Sequence, residues 1–512
     1  MLDVRNKRVL VLGLGRKGQA AARLLVQHRA EVVTVDPVAA PGRSAGAAEL
    51  RSLGIPVRSD PAALAPDQFD LAVLASDTPT LSDLRRRLAR AGVPVISELE
   101  LGCRFAQCLL VGITGAAGKR TTMRLLEEIL EAAQRRTGLA GGDRIPLSDL
   151  AEASKALEFI AVEVSPWELE ATREFRPMAG VLLNLPGDER AADSSSGSFA
   201  GAVANLFARQ QAFDWAILQL EALEQFRAAG LTLPAKTVTF SAAERKADFF
   251  LDRGLIISQL PDWNGPLINL TGCQSRGSHF AEDVMAALAV GRVLRIPLEV
   301  MVDAIQRCPA LPHRCESIGT VGGVEFISDA LAVTLSSTRQ AVLSIPASEP
   351  GESNILMIAG GADSGGDFHD LGPLLARRVK QVFLFGEVRE KLRAAWSLFT
   401  PCTLVGSVLE AATVAVQSAV PGDVVLLSPA CSSREPSTDE KSLGEVFREA
   451  VRHMGQTTGG GASLPGPIPW GAGGSPPVAP PLPSATNDSL PRRLLREDAG
   501  AKPIVTSDQL HP

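Results

Sequence analysis

The chain has 512 residues, a formal net charge of −6 and 45% hydrophobic residues. Three domains of roughly 150 residues each are expected from that length, and a net negative chain is not expected to present a polyanion-binding surface, so nucleic acid is excluded as the partner. Seven cysteines without a CxxC pair predict reduced thiols and a cytoplasmic protein, six scattered histidines offer no structural zinc site, and no apolar run reaches the roughly 20 residues that insert across a membrane.

Residues 1–107 read as a Rossmann-like unit. The start, Met1 to Arg8, is polar and is not expected to be a secretory signal. A buried strand at Val9–Leu12 runs into Gly13-Leu14-Gly15-Arg16-Lys17-Gly18, and Asp36 closes the next strand, Glu31–Val35. Glycines at this spacing let the backbone approach a phosphate at a helix N-terminus, and the acid after the second strand suits a ribose hydroxyl. Any Rossmann-like phosphate-holding domain carries the same pattern, so a dinucleotide and a nucleotide-linked ligand both fit, as does a purely structural layer. Further strands are expected at Leu71–Ala75 and Pro94–Ser97, the latter leading into Glu98-Leu99-Glu100-Leu101.

Residues 108–309 open with the most informative stretch. Leu109–Thr114 is a buried strand, Gly115-Ala116-Ala117-Gly118 a small-residue turn, and from Lys119 the apolar positions Met123, Leu125, Leu126, Ile129 and Leu130 keep helical spacing. Strand, glycine turn with Lys, then helix is the layout of a phosphate-binding loop, in which N–H groups, the helix N-terminus and the lysine all face the anion. The bland alternative is a tight βα turn with a solvated lysine. The residue after the lysine, whose hydroxyl ordinarily holds Mg²⁺, is Arg120, and Thr121 is the next hydroxyl along. Two more strands end in polar groups, Phe159–Glu163 and Gly180–Asn184. Glu163, acidic within an apolar run, is the first candidate for a metal on a bound nucleotide, although an acid at a strand end also serves as a plain helix cap. A long Ala-rich helix is expected to start near His279.

Residues 310–455 read as a third α/β unit, with Leu311-Pro312-His313-Arg314, a strand ending at Asp329, glycine turns at Gly360-Gly361 and Gly386, and a last strand running into Cys431-Ser432-Ser433. From 456 to 512 a glycine run and repeated prolines predict a disordered tail. Its Arg492-Arg493 patch is either a docking motif or a solvated basic face. The fold class expected is therefore α/β: three doubly wound domains (Rossmann-like, P-loop ATPase-like, Rossmann-like) and a tail.

These pieces, in this order, resemble the Mur ligases, and in particular the D-glutamate-adding branch. The resemblance rests on Val9–Gly15 with Ala20–Leu25, Ser97–Leu101, Gly112–Gly115, Leu311–Arg314, Gly323–Asp329, Gly360-Gly361 and Leu426–Cys431, and it covers roughly residues 5–455. It implies ATP-dependent amide-bond formation through an acyl phosphate, with UDP-N-acetylmuramoyl-L-alanine and D-glutamate as substrates and ATP with Mg²⁺ as cofactors. The setting it implies is cytoplasmic peptidoglycan synthesis, hence cell shape and division. It further implies Lys119, Glu163 and His279 as catalytic, and Gly115, Ala116, Ala117, Gly118, Lys119, Arg120, Thr121, Arg314 and Asp329 as ATP-binding. Gly13, Leu14, Gly15, Arg16 and Asp36 would hold the UDP substrate, Ser433 the amino acid, and Glu163 and Thr121 the metal.

Against the family pattern, Arg120 replaces the metal-holding hydroxyl, Val203 the modified lysine and Glu189 a histidine. His279-Phe280-Ala281-Glu282-Asp283 replaces His-Asn-x-x-Asn, Leu331 stands where a phosphate-facing lysine belongs, Ser364 replaces a substrate lysine and Glu440 an aromatic. Removal of one phosphate-clamping group commonly slows such a reaction about 10² to 10³-fold, and groups acting together are not additive. Weak or lost ligation is therefore expected. The alternative is an inactive Mur-like protein that binds a UDP-sugar precursor or another cell-wall enzyme. A nicotinamide-dependent dehydrogenase would rest on the first glycine turn and Asp36 alone.

Overall fold

The computed structural model describes residues 2–37, 45–76, 79–185, 199–273, 275, 277–309, 311–345, 353–362, 368–431 and 440–457. All of them fall in one compact unit, Met1–Gly473. Three sheets organise it. The first is five-stranded and parallel: β1 (Arg8–Leu12), β2 (Glu31–Val35), β3 (Val57–Arg58), β4 (Leu71–Leu74) and β5 (Val95–Ser97), in the order β3-β2-β1-β4-β5. Valines and leucines fill β1 and β4 because both faces are covered. One core lies against each face, around Val9, Val11 and Leu25 on one side and around Leu10, Leu12 and Leu88 on the other.

The second sheet has nine strands: β6 (Leu109–Thr114), β7 (Thr137–Gly141), β8 (Phe159–Glu163), β9 (Ala179–Leu182), β10 (Trp215–Gln219), β11 (Lys236–Ser241), β12 (Phe249–Asp252), β13 (Leu255–Ser258) and β14 (Gly265–Asn269). Its order is β14-β13-β12-β11-β10-β9-β6-β8-β7. From β7 to β12 the pairs are parallel, whereas β12–β13 and β13–β14 are antiparallel. The antiparallel edge goes beyond the wholly doubly wound expectation. It follows from a two-residue hairpin at Arg253-Gly254, both at positive φ (48° and 83°), the backbone that matches strand twist.

The third sheet runs β15-β16-β20-β17-β18-β19, with β15 (Glu316–Val321), β16 (Val324–Ser328), β17 (Ile355–Gly361), β18 (Val379–Gly386), β19 (Cys402–Leu404) and β20 (Val424–Ala430). β15 pairs antiparallel with β16 through Gly322-Gly323, and the other pairs are parallel. A helix, Glu440–Thr457, follows. The segment expected to be disordered lies, from residue 458, outside the described residues. No described helix is long and apolar enough to cross a membrane.

The first two sheets are clasped by polar groups. Lys17 pairs with Glu168 at 2.5 Å, Arg23 with Asp149 at 3.0 Å, and His28 lies 2.8 Å from Glu152. Both acids of the Ser97–Leu101 motif turn inward to the second sheet's unit. Glu98 accepts from the Ser148 amide at 2.7 Å, and Glu100 accepts from the amides of Glu174 and Phe175 at 2.9 Å.

Candidate nucleotide site

In a parallel sheet, ligands collect beyond the carboxyl ends of strands at the point where strand order reverses. Here the chain runs from β6 to β7 and β8 on one side, then crosses back to β9 on the other. β6, β8 and β9 are therefore neighbours, with Ile113 opposite Glu163 and Thr114 opposite Leu182. Their ends bring the glycine turn, Glu163 and Asn184 together.

The turn needs its glycines. Gly115 has φ 153° and a Cβ there would sit 2.9 Å from Leu183 Cβ; Gly118 has φ 85°, and a Cβ would sit 2.2 Å from Asp283 Oδ1. Gly118 then caps the helix Lys119–Ala132. Asn184 holds the turn open: its Oδ1 accepts from Ala117 N at 2.8 Å, its Nδ2 donates to Ala117 O at 3.3 Å, and its own carbonyl accepts from Ala116 N at 3.2 Å. Lys119 Nζ donates to Gly115 O at 2.7 Å, bending over the turn. Burial lowers the lysine's proton affinity, Glu163 opposes that, and Arg120 and Arg314 add to it. Arg314 of the third unit is thus brought to the loop.

Glu163 is 8% exposed and its Oε2 has no hydrogen-bond partner. Burial raises its pKa, opposed by Lys119, Arg120 and Arg144. Arg120 is half exposed, its Nε 4.0 Å from Asp143 Oδ2. Asp329, at the end of β16, accepts from Cys315 N at 3.2 Å, and burial pushes its carboxyl up to about 7 against the pull of Arg314. Asp283, missed as a functional residue in the sequence, lies fully buried beneath Gly118. It accepts from Thr122 Oγ1 at 3.2 Å, Thr121 also hydrogen-bonds to it, and burial raises its pKa well above the ordinary carboxylate value. Its place in the His279–Asp283 run marks it as a departure from the family pattern, but the contact itself is not legible, because the helix Ser278–Val293 brings Asp283 in 161 residues after Thr122.

His279 sits in the first turn of that helix, its Nδ1 3.6 Å from Glu282 Oε2, while Glu282 Oε1 accepts from Gln219 at 3.0 Å. That places His279 by the ends of β10 and β11, one turn from Asp283. Val203 is fully buried in an apolar cluster with Leu169, Phe175 and Leu206. Leu331 is half-buried next to Asp329, its amide bonded to the His313 carbonyl. Glu189, Ser364 and Ser433 lie outside the described residues, as does the side chain of Glu440.

At the first sheet's glycine turn, Gly13 has φ 97° and packs against Ser76. Leu14 N donates to Asp36 Oδ2 at 2.8 Å, so one oxygen of Asp36 braces the turn from within. Gly15 caps the helix Arg16–Gln27, and Arg16 Nη1 donates to the Asp143 carbonyl at 2.7 Å. The two glycine turns are therefore linked through one segment, Gly141–Arg144.

The Mg²⁺ implied by the resemblance asks for near-octahedral oxygen ligands. The described donors do not fit it. Position 120 offers a guanidinium, the hydroxyls of Thr121 and Thr122 turn toward Asp283, with Thr122 fully buried, and the carboxylates of Glu163 and Asp143 are matched by Lys119, Arg120 and Arg144. No group of three His, Cys, Asp or Glu side chains able to hold a metal occurs among the described residues.

Comparison with known proteins identifies the family. The family described as "Mur ligase, glutamate ligase domain" matches residues 313–431, and a putative NAD(P)-binding family matches 1–98. The UDP-N-acetylmuramoylalanine–D-glutamate ligase of Acidobacterium capsulatum is 32% identical over 458 residues, covering 88% of this chain and 97% of that protein. The same-named ligase of Geobacter metallireducens is 32% identical over 460 residues, covering 89% and 99%. Among solved structures, a pseudomurein peptide ligase type C from Methanothermus fervidus has TM-score 0.55 at 15% identity, covering 88% of this chain and 100% of that one. A MurF ligase from Thermotoga maritima in complex with ADP has TM-score 0.54 at 15% identity, again covering 88% and 100%. The chain belongs to the Mur ligase family, beside the UDP-N-acetylmuramoylalanine–D-glutamate ligases.

Proposed function

We propose that the chain is a cytoplasmic, ATP-using ligase that joins D-glutamate to UDP-N-acetylmuramoyl-L-alanine, with turnover slowed about 10²-fold or more by its altered phosphate clamp. The observation that carries this reading is the convergence of Lys119, Asn184 and Arg314 on one glycine turn between β6, β8 and β9. The relatives' names supply the substrates. In the reaction, the substrate carboxylate takes the γ-phosphoryl group of ATP and ADP leaves; the D-glutamate amine then attacks the acyl phosphate and phosphate leaves. Gly115, Ala116, Ala117 and Gly118 would cradle the phosphates, and Lys119 and Arg314 would neutralise charge as it shifts. The first glycine turn, Gly13 to Arg16, would hold the UDP end at the start of its helix.

A second reading, a Mur-like protein that binds the UDP-sugar precursor or another cell-wall enzyme without turnover, is favoured by Val203. Where the family pattern has a modified lysine, this helix offers only an apolar side chain packed into a core. ADP release separates the two. Slow release that requires both substrates and disappears in Lys119→Ala supports the ligase; no release above the Lys119→Ala blank sinks it in favour of the binder.

A further inference from the structure

We propose that the loop takes its nucleotide as the metal-free polyphosphate anion, with the Arg120 guanidinium standing in for Mg²⁺. This deepens the proposed function and rests on its reading of Gly115–Lys119 as the ATP loop.

The placement of Arg120 is the first argument. It follows Lys119 in the opening turn of the helix Lys119–Ala132, at the place where a hydroxyl ordinarily joins metal to phosphate. The neighbouring hydroxyls turn away from the turn's open side: Thr122 is fully buried, and Thr121 and Thr122 both donate to Asp283, itself walled in beneath Gly118. The second argument is charge. Arg120 and Arg314 each act on Lys119 at the turn, and a dication entering there meets positive groups. Glu163 is the one carboxylate facing them from β8. Its unpartnered, buried Oε2 is closed in on one side by Gly142, where even a Cβ would come within 2.4 Å. That oxygen is placed to balance the cations, and Asp143, the other carboxylate acting on it among the described residues, pairs with Arg120. The third argument is chemistry. A guanidinium is always charged and its planar fork matches phosphate oxygens two at a time. The group is also available: half exposed, and among the described residues held by a 4.0 Å pairing to Asp143.

The test is calorimetric binding of ATP to the full-length protein, at matched ionic strength, in excess Mg²⁺ and in excess EDTA. Expected is an affinity in EDTA equal to or above that in Mg²⁺. Arg120→Thr should lose about tenfold in EDTA, one charge-assisted phosphate contact, and bind better when Mg²⁺ is added. Arg120→Lys, with the charge but not the fork, should fall between. Binding by the unaltered protein that is more than about threefold tighter in Mg²⁺ overturns the proposal while leaving the ATP reading intact, as does Arg120→Thr binding unchanged in EDTA. No binding in either condition overturns both. Thermal melts of each variant separate lost binding from lost folding.

Discussion

Glu98→Gln tests how burial sets the stability of the clasp between the first two sheets. Glu98 opens the helix Glu98–Phe105, is 2% exposed, and accepts from the Ser148 amide. Burial pushes its carboxyl from 4.5 up to about 7, reinforced by Glu168 and opposed by Ser148 and Lys17. A carboxyl whose folded pKa is raised binds its proton more tightly in the folded state. Its contribution is therefore complete below the unfolded pKa and is lost as pH rises through about 7. At 1.36 kcal/mol per pKa unit, the loss between pH ~5 and ~8.5 is about 2–3 kcal/mol. Glutamine keeps the oxygen that accepts from Ser148, sets its amide beside the Ser148 hydroxyl, and does not titrate. Whatever uniform shift the amide brings, the variant should gain about 2–3 kcal/mol on its parent across that pH range. Urea midpoints at the two pH values measure this, read by tryptophan fluorescence, to which Trp167 contributes from the same clasp, its ring centre 5.3 Å from Lys17 Nζ. Parallel pH profiles for parent and variant would refute the assignment of a raised pKa to Glu98.

Two further substitutions address the loop itself. Gly118→Ala places a Cβ 2.2 Å from Asp283 Oδ1 at φ 85°; left-handed strain alone is about 1–2 kcal/mol. ATP affinity should fall tenfold or more by calorimetry, with a lowered melting temperature, and unchanged binding would contradict the loop's geometry. Asn184→Ala leaves the Ala117 amide without its acceptor, a local penalty of about 1–3 kcal/mol. It should weaken ATP roughly tenfold while the urea midpoint stays close to that of the parent, and an equal loss of both would make Asn184 a folding residue only.

Strands and turns that announce themselves locally were legible in the sequence. Leu109–Leu130 reads as strand, glycine turn and helix because apolar spacing and φ-positive glycines lie within one short stretch. The hairpins at Arg253-Gly254 and Gly322-Gly323 carried an equally local signal, a glycine-bearing pair between short apolar runs, yet their antiparallel strands went unread. Other features depend on sequence-distant approach. Asp283 reaches Gly118 only because one helix packs on another, and Arg120 finds Asp143 only because β7 lies two strands from β6. The Ser97–Leu101 motif was visible as a family marker, but its work as an inter-sheet clasp emerges only from the partners Ser148, Glu174 and Phe175.

The charge at the nucleotide loop is best understood from its acids rather than its bases. Asp143, Asp283, Asp329 and Glu163 stand among Lys119, Arg120, Arg144 and Arg314, and a formal count would have them cancel. Burial changes that count. Asp283 is held toward its neutral form well above the ordinary range, Asp329 titrates only near 7, and Glu163 is raised despite three cations around it. Arginine does not lose its proton, and Glu163 resists the loss at Lys119. Burial thus disfavours the negative form of Asp283, Asp329 and Glu163 while the guanidiniums keep their charge, which tips the loop toward a positive excess. A polyphosphate anion is the ligand that such an excess favours, and a bare dication the one it repels.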